Sequence, residues 1–314
     1  MWWIRDHYTI MERKLLLTLA DRNYLDQAKQ LFSSVYFNAG WKWDYMLLSY
    51  QVPAEELRWF KDRGILIKEC EEIVDGPMEG YPPVVFSKCF MFTPEFKQWT
   101  HIVYLDADII VRASLDNLAN VRGFSAVEDA VDLQGQARDG GVSLTGRAFC
   151  SGVMAFNTKI IKNNTFEGLK DLCQRYQKIS AWGEQLAFNL YFYKKWRKLP
   201  IVYGLFICQQ KNAYGISLNK IRSIILHFVS GDKPWDRNNY FYDEWKDNLD
   251  RADRIDLRNR PVGKRWCRFS LIKSTIYYKY RFLVYNVVNR HLGFLGLFLR
   301  KYKKSIQIMC KHEK

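Results

Sequence analysis

Two aspartates stand two residues apart inside an otherwise apolar segment. Asp106 and Asp108 follow the run His101–Leu105, which predicts a strand, and the apolar run resumes at Ile109–Val111. Residues two apart in an extended chain point to the same face, so both carboxylates can share one hard divalent cation, which a diphosphate can bridge. The alternative is a strand-end turn with solvated acids, but an acid between apolar neighbours is costly to desolvate and needs a reason.

A second polar set follows the apolar run at residues 224–226. His227 ends this strand-like run, and imidazole is an acceptable third ligand for Mn²⁺ beside two carboxylates. A lone histidine at a strand end is more often a buried structural residue. Here Lys233 can neutralise a diphosphate, and Gly231 lets backbone N–H groups approach it. The combination favours a metal and diphosphate site.

The elements that must position these residues alternate along the first third of the chain. Apolar runs predict strands at 14–19, 44–48, 66–67 and 101–105, and helical spacing predicts helices at 24–38, from 53 onwards and at 84–96. Alternating strands and helices imply a parallel sheet with helices on both faces. Such sheets bind ligands at the carboxyl ends of their strands, near the topological switch point, so we expect the polar residues to meet there.

Five blocks of the sequence resemble, in order, motifs of the family 8 retaining glycosyltransferases. That family includes the glycogenins and bacterial lipopolysaccharide galactosyl- and glucosyltransferases. The most specific block is the string Tyr-Leu-Asp-Ala-Asp-Ile-Ile-Val around Asp106. The blocks lie at 17–24, 104–111, 149–154, 184–189 and 226–235. Five ordered matches are hard to obtain by chance.

The resemblance implies a fold, an activity and a set of site residues. The fold is α/β of the GT-A type, a mixed, mostly parallel sheet flanked by helices, here a catalytic domain over residues 14–257. The activity is retaining transfer of a hexose from a UDP-sugar, with Mn²⁺ or Mg²⁺, to a glycan, lipid-linked or protein acceptor. The implied metal ligands are Asp106, Asp108 and His227. The implied nucleotide, diphosphate and sugar contacts also include Leu19, Ala20, Tyr24, Lys88, Ala107, Asp129, Cys150, Ser151, Gly231 and Lys233.

Gln185 and Glu184, on a helix expected over 181–193, are the implied catalytic residues. Retention requires a covalent intermediate or front-face attack within an ion pair. By the resemblance, Gln185 stands nearest the rear face of the anomeric carbon, where its amide oxygen can stabilise oxocarbenium charge, and Glu184 bonds the sugar or adds negative potential. Three positions depart from the family pattern. Cys150 replaces an asparagine, and Ala181 stands where glycogenin-like members carry an acid, so sugar or acceptor choice is expected to differ. Ser230 replaces a glycine, so the phosphate contact is expected to shift by one residue, to Gly231.

The positive charge of the chain is concentrated near its end. The formal net charge is +15, and residues 258–314 contain 15 Lys or Arg and one acid. Within 264–304 these cations alternate with aromatic and aliphatic residues, a composition typical of helices that lie on anionic membranes. Nucleic acid is a competing partner for any cationic strip, and a solvated helical extension packed on the domain is the other alternative. The aliphatic runs favour the membrane surface.

Cysteine usage and hydropathy bear on location. Seven scattered cysteines without a CxxC pair are typical of a reducing compartment. We find no apolar signal-peptide core and no run near the ~18 residues that span a bilayer, so a cytoplasmic protein, peripheral on a membrane, is expected. A self-glucosylating primer protein with Tyr214 as acceptor is the alternative function, and a nucleic-acid-binding protein is less favoured. The oligomeric state stays open, a dimer included.

Overall fold

The computed structural model describes residues 12–74, 81–138, 141–208 and 214–285. Within these ranges ten strands form two sheets. The strands are β1 Lys14–Ala20, β2 Asp44–Tyr50, β3 Leu66–Cys70, β4 His101–Leu105, β5 Ile109–Val111, β6 Phe124–Glu128, β7 Phe149–Asn157, β8 Trp196–Lys198, β9 Leu205–Phe206 and β10 Ile225–His227. The α-helices are α1 Leu25–Ser34, α2 Arg58–Asp62, α3 Thr165–Tyr176, α4 Gln185–Tyr191, α5 Tyr242–Asp250 and α6 Arg268–Leu283.

The larger sheet has seven strands in the order β3-β2-β1-β4-β7-β6-β8. β7 runs antiparallel to β4 and β6, and the other neighbours are parallel. Every residue of β1 is buried, because Leu16 packs into one core cluster while Leu15 and Leu17 pack into another on the opposite face. This confirms the predicted mixed, mostly parallel sheet flanked by helices.

The strand order creates a topological switch point. The chain runs outward from β1 through β2 to β3 and then returns to place β4 on the other side of β1. After β4 the chain turns at residues 106–108 and leaves the sheet, so that β5 pairs with β10 in a second sheet of order β5-β10-β9. In that pairing His227 lies opposite Ile109. The turn therefore stands between the two sheets, beside the end of β10.

Three predicted helices differ from those observed. Residues 84–96 were expected to form one helix but form two 3₁₀ segments, Pro83–Phe92 and Pro94–Gln98, because Thr93 before the proline is extended. The helix predicted from residue 53 begins later, at Arg58. The helix predicted over 181–193 begins at Gln185, because Gly183 adopts a left-handed φ of 59°.

Helix α6 packs against the catalytic domain. Tyr278 is 0% exposed, and its hydroxyl donates to the backbone oxygen of Arg222 and accepts from the Arg222 N–H. Before α6, the backbone of Gly263 passes so close to Gly40 that a Cβ on Gly40 would stand 2.3 Å from the Gly263 nitrogen. The rest of the predicted basic tail, residues 286–314, lies outside the described residues. Among the helices that are described, none has both the length and the apolar character that a bilayer crossing requires.

Candidate active site

A cavity of about 380 Å³ opens at the carboxyl ends of β1 and β4, beside the switch point. It brings together residues from segments that lie far apart in the chain. All but one of the predicted site residues line it, namely Leu19, Ala20, Tyr24, Lys88, Asp106, Ala107, Asp108, Asp129, Cys150, Ser151, Glu184, Gln185, His227 and Lys233. The exception is Gly231, which has a left-handed φ of 77°, while the neighbouring Ser230 lines the cavity. The structure thus brings fourteen of the fifteen predicted site residues together around one cavity.

Asp106, Asp108 and His227 form a cluster on the cavity wall. The His227 Nε2 atom lies 3.7 Å from Asp106 Oδ2 and 3.3 Å from Asp108 Oδ1. One ligand atom from each residue falls within 4.8 Å of the others, close to twice a metal–oxygen bond of ~2.1 Å. Asp108 Oδ1 is buried and has no hydrogen-bond partner. Two carboxylates, one of which carries this unsatisfied oxygen, and an imidazole fit a divalent cation.

The electrostatics of the cluster keep its members charged. Burial alone would raise the pKa of Asp106 and Asp108, but Lys88 and His227 outweigh it at Asp106, as His227 and Lys233 do at Asp108, and both pKa values are lowered. Burial would lower the pKa of His227, yet the adjacent Asp106 and Asp108 carboxylates raise it well above its usual range. The acids are therefore ionised and ready to bind a cation.

Gly152 in β7 lets the cluster close. A Cβ at this position would stand 2.2 Å from His227 Cε1 and 2.5 Å from Asp106 Oδ2, and both distances are far inside van der Waals contact. The Gly152 carbonyl also accepts a hydrogen bond from the Asp106 N–H at 2.9 Å. The glycine of the 149–154 block is thus required by the close approach of two candidate metal ligands.

Lys88 connects the cluster of candidate metal ligands to Glu184. Its Nζ lies 2.8 Å from Asp106 Oδ1 and 2.7 Å from Glu184 Oε1, and the lysine is only 5% exposed. Glu184 is equally buried, and its Oε1 also accepts from the Ser151 hydroxyl at 2.7 Å. Burial would lower the pKa of Lys88, but Asp106 and Glu184 raise it well above the usual lysine value. No sequence pattern predicts this bridge, since the three residues belong to three separate segments of the chain.

Lys233 supplies the second cation of the cavity. Its Nζ donates to Asp108 Oδ2 at 2.6 Å and to the Phe228 backbone oxygen. Lys233 is partly exposed and contacts Asp108, whereas Lys88 is buried and contacts Asp106. Each aspartate of the cluster is therefore paired with its own lysine. A diphosphate entering the cavity would meet positive charge on both sides.

Gln185 begins α4 with its amide held at both ends. Its Oε1 accepts from the Ser151 N–H at 2.9 Å, and its Nε2 donates to Asp129 Oδ2 at 2.7 Å. Asn189, one turn later, donates to the Gln185 carbonyl and binds both backbone groups of Phe149. The bonds to Ser151 and Asp129 determine the orientation of the Gln185 side-chain amide. Its Oε1 atom keeps one lone pair for a ligand.

The cavity also has walls that sequence reasoning missed. Tyr104 donates its hydroxyl to Asp106 Oδ1 at 2.8 Å, and its position two residues earlier on the same strand could have signalled this. Tyr81 and Trp182 pack edge to face, with ring centroids 6.4 Å apart, and Trp182 is 39% exposed. No periodicity marks these two aromatics as neighbours. Tyr214, the candidate self-glucosylation residue, does not line this cavity.

Comparisons with known proteins agree with this architecture. The sequence profile described as "Glycosyl transferase family 8" matches residues 16–239, so the chain belongs to that family. A curated relative, Glycosyltransferase GlyB of Streptococcus pneumoniae serotype 4 (strain ATCC BAA-334 / TIGR4), is 26% identical over 287 residues. That match covers 78% of this chain and 66% of GlyB. The chain therefore spans slightly less than two thirds of the length of this relative.

Two groups of solved structures share the fold. The apo-form glycosyltransferase GlyE of Streptococcus pneumoniae TIGR4 has a TM-score of 0.59 and 20% identity, covering 79% of this chain and 62% of GlyE. The galactosyltransferase LgtC, solved with donor and acceptor sugar analogues, has a TM-score of 0.60 and 14% identity, covering 75% of this chain and 95% of LgtC. Both are GT-A glycosyltransferases, which confirms the predicted fold class.

Proposed function

We propose that this chain is a metal-dependent, retaining glycosyltransferase that transfers a hexose from a UDP-sugar to a glycan or lipid-linked acceptor. The observation that carries the proposal is the cluster of Asp106, Asp108 and His227 at the switch point of a family 8 fold, between Lys88 and Lys233. Acids and cations in this order match what a metal-bound diphosphate requires. Mn²⁺ is the proposed ion, with Mg²⁺ as the alternative.

Different residues of the cavity are proposed to bind the diphosphate and the nucleoside of the donor. A divalent cation, when bound by the cluster, would neutralise the diphosphate and so make UDP a better leaving group. Lys233 is positioned to exchange its contact with Asp108 for one with a phosphate oxygen. Leu19, Ala20 and Tyr24 line the end of β1, where the nucleoside is proposed to lie. Tyr24 packs its edge on Trp235 at 5.9 Å, which holds the ring at the mouth.

Gln185 is proposed to stabilise the sugar as positive charge develops at the anomeric carbon. Its oxygen is fixed by the Ser151 N–H, so no reorganisation is needed when the charge appears. Glu184 is a poorer candidate for a covalent nucleophile, because Lys88 and the Ser151 hydroxyl already occupy its Oε1. We assign Glu184 to the support of Lys88 and of the sugar.

Metal dependence is tested with a panel of UDP-sugars, Mn²⁺ and Mg²⁺, with released UDP as the readout. We expect turnover with at least one UDP-hexose and its loss on addition of EDTA. The variant Asp108→Asn should lose at least ~10²-fold of the metal-dependent turnover while keeping its circular dichroism and melting temperature. Asp171→Asn, on the surface of α3, is the matched control and should behave like wild type. Full activity in EDTA would refute the metal assignment.

A peripheral position on an anionic membrane is proposed for the basic extension. The outward side of α6 exposes Phe269, Ile272, Ile276 and Tyr280 at helical spacing, with basic residues between them. An exposed apolar stripe flanked by cations is typical of helices that lie at a membrane surface. The division of the chain at residue 257 and a cytoplasmic location remain part of this proposal.

A further inference from the structure

A second and larger cavity adjoins the cavity of the candidate active site, which is called the donor cavity below. Its volume is about 930 Å³, and it lies between the end of β6, the segment 198–208 and helix α6. Asp129 and Phe206 line both cavities, so the two spaces meet at these side chains. The Phe206 ring also packs on the candidate metal ligand His227, with ring centroids 5.6 Å apart. Asp129 and Phe206 therefore form the boundary between the second cavity and the candidate catalytic centre.

The lining of this cavity combines charged and apolar side chains. Near the donor cavity lie Asp129 and the Glu128 carboxylate, which is paired with Lys198. Most of the other lining residues are apolar or aromatic, and they include Leu199, Pro200, Ile201, Tyr214, Phe282 and Leu283. Carboxylates bind sugar hydroxyls, whereas an apolar wall of this size is not needed by a sugar alone.

Helix α6 supplies the apolar wall. Thr275, Tyr278 and Phe282 recur at three and four and so share the face that lines the cavity. Leu283 also lines it, yet remains 56% exposed, so this wall continues to the outer surface of the helix. Lys279 stands on the same rim as an exposed cation for which the described residues offer no acid within ion-pair distance. A long apolar group can thus leave the cavity along α6.

From these observations we infer that the second cavity is the acceptor site and that it takes an amphipathic acceptor. The sugar of that acceptor lies toward Asp129, and its apolar aglycone lies against Ile201, Phe282 and Leu283. This inference rests on the proposed function, because it names the substrate class of the same active centre. Atoms of the transfer balance simply: an acceptor hydroxyl forms the new glycosidic bond, the bond to the diphosphate breaks, and the hydroxyl proton leaves with UDP or to solvent.

Binding of simple glycosides tests the inference without any donor or metal. Octyl β-glucoside, below its critical micelle concentration, and methyl β-glucoside are titrated into the full chain by calorimetry, and the corresponding galactosides are compared. We expect the octyl glycoside of at least one sugar to bind at least ~10-fold more tightly than its methyl partner, because the cavity buries part of the alkyl chain. An absence of octyl preference in both pairs would overturn the inference.

Two variants locate the bound chain. Thr275→Trp fills the cavity, and Leu283→Glu places a charge on its apolar wall at a position exposed enough to leave folding intact. Both should abolish the octyl preference. Ile276→Ser, at a 60% exposed position outside the lining, is the matched control and should keep it. Loss in Ile276→Ser with retention in the two cavity variants would place binding on the outer stripe and contradict the inference.

Release of UDP in the absence of acceptor separates this inference from the proposed function. Both cavity variants should hydrolyse the UDP-sugar like wild type, while their KM for the octyl glycoside as acceptor rises at least ~10-fold. If the wild-type protein turns over no UDP-sugar but binds the octyl chain in the cavity, the proposed function fails and the cavity assignment stands. If turnover is normal but the cavity variants keep the wild-type acceptor KM and octyl preference, only the cavity assignment fails.

Discussion

At the scale of the residue, close contacts decide what the active site tolerates. The candidate metal ligands Asp106 and His227 reach the cluster only because Gly152 has no side chain. Lys88 stands between Asp106 and Glu184 with its charge buried and paired on both sides. Breaking such a buried pair from one side leaves an uncompensated charge, which costs several kcal/mol more than a surface pair. Substitutions of Lys88 or of its partners should therefore lower the stability of the fold as well as the activity.

The variant Gly152→Ala should weaken binding of Mn²⁺ by ~10- to 100-fold, because its methyl group displaces the His227 ring and the Asp106 carboxylate. Titration of free Mn²⁺ by electron paramagnetic resonance measures this directly. Gly168→Ala is the control: it lies in α3, where alanine favours the helix, and its Cβ meets only the ring of Tyr191. Equal Mn²⁺ affinity in Gly152→Ala and wild type would argue against the cluster.

Gln185→Ala should retain a measurable rate, with a loss of ~10²- to 10³-fold, on the scale of one preorganised dipole in an active site. The product should keep the α configuration of the donor, which the anomeric proton coupling reports by NMR. Glu184→Gln should also be partly active, since its carboxylate supports Lys88 and does not attack. A β-linked product would contradict retention. A glycosyl adduct on Glu184, found by mass spectrometry, would contradict the role given to Gln185.

At the scale of the element, one buried tyrosine makes the main contact between α6 and the rest of the domain. The Tyr278 hydroxyl is bonded to both backbone groups of Arg222, and burial raises the pKa of this phenol. The side chain of Arg281 adds hydrogen bonds to the carbonyls of Tyr214 and Gly215. Nearly all other side chains of α6 remain at least partly exposed. The position of α6, and with it the wall of the second cavity, depends on these few contacts.

Tyr278→Phe should lower the free energy of unfolding by about 1–3 kcal/mol, because both backbone groups of Arg222 lose their hydrogen-bond partner, the hydroxyl of a buried tyrosine. Urea denaturation followed by circular dichroism gives the value. Tyr280→Phe, on the exposed side of the same helix, should change it by less than ~0.5 kcal/mol. An equal effect of both substitutions would show that α6 is not held through Tyr278.

At the scale of the whole molecule, the basic residues are concentrated away from the candidate active site. The residues that line the donor cavity all precede 234, while residues 258–314 carry 15 of the 48 basic residues. Residues 264–285 nevertheless contact the domain, through the Lys264 backbone as well as Tyr278. A truncation that tests attachment must therefore leave α6 in place.

A chain ending at residue 285 should keep its melting temperature and its hydrolysis of the UDP-sugar. It should bind phosphatidylserine vesicles more weakly than the full chain at low salt, because it lacks seven basic residues worth roughly 1 kcal/mol each near the surface. Cosedimentation with vesicles measures the difference, and neutral vesicles provide the control. Unchanged cosedimentation would show that residues 286–314 do not attach the protein to anionic lipid.

The sequence alone predicted the features that local patterns encode. The apolar runs of β1 and β4 and the acids at 106 and 108 were evident because a strand buried on both faces must be apolar throughout. The motif blocks indicated the family for the same reason, since each is a short continuous segment. The local patterns did not predict the helix bounds at Thr93 and Gly183. At each position one residue outside helical geometry interrupts a pattern that otherwise looks helical.

Only the tertiary structure decided which distant residues meet. His227 reaches Asp108 because β10 pairs with β5 in a second sheet, and neither short strand predicts that partner. The bridge from Lys88 to Glu184, the need for Gly152 and the second cavity under α6 arise in the same way. Sequence periodicity reports which face of an element is buried, whereas contacts between faces depend on how all the elements pack together.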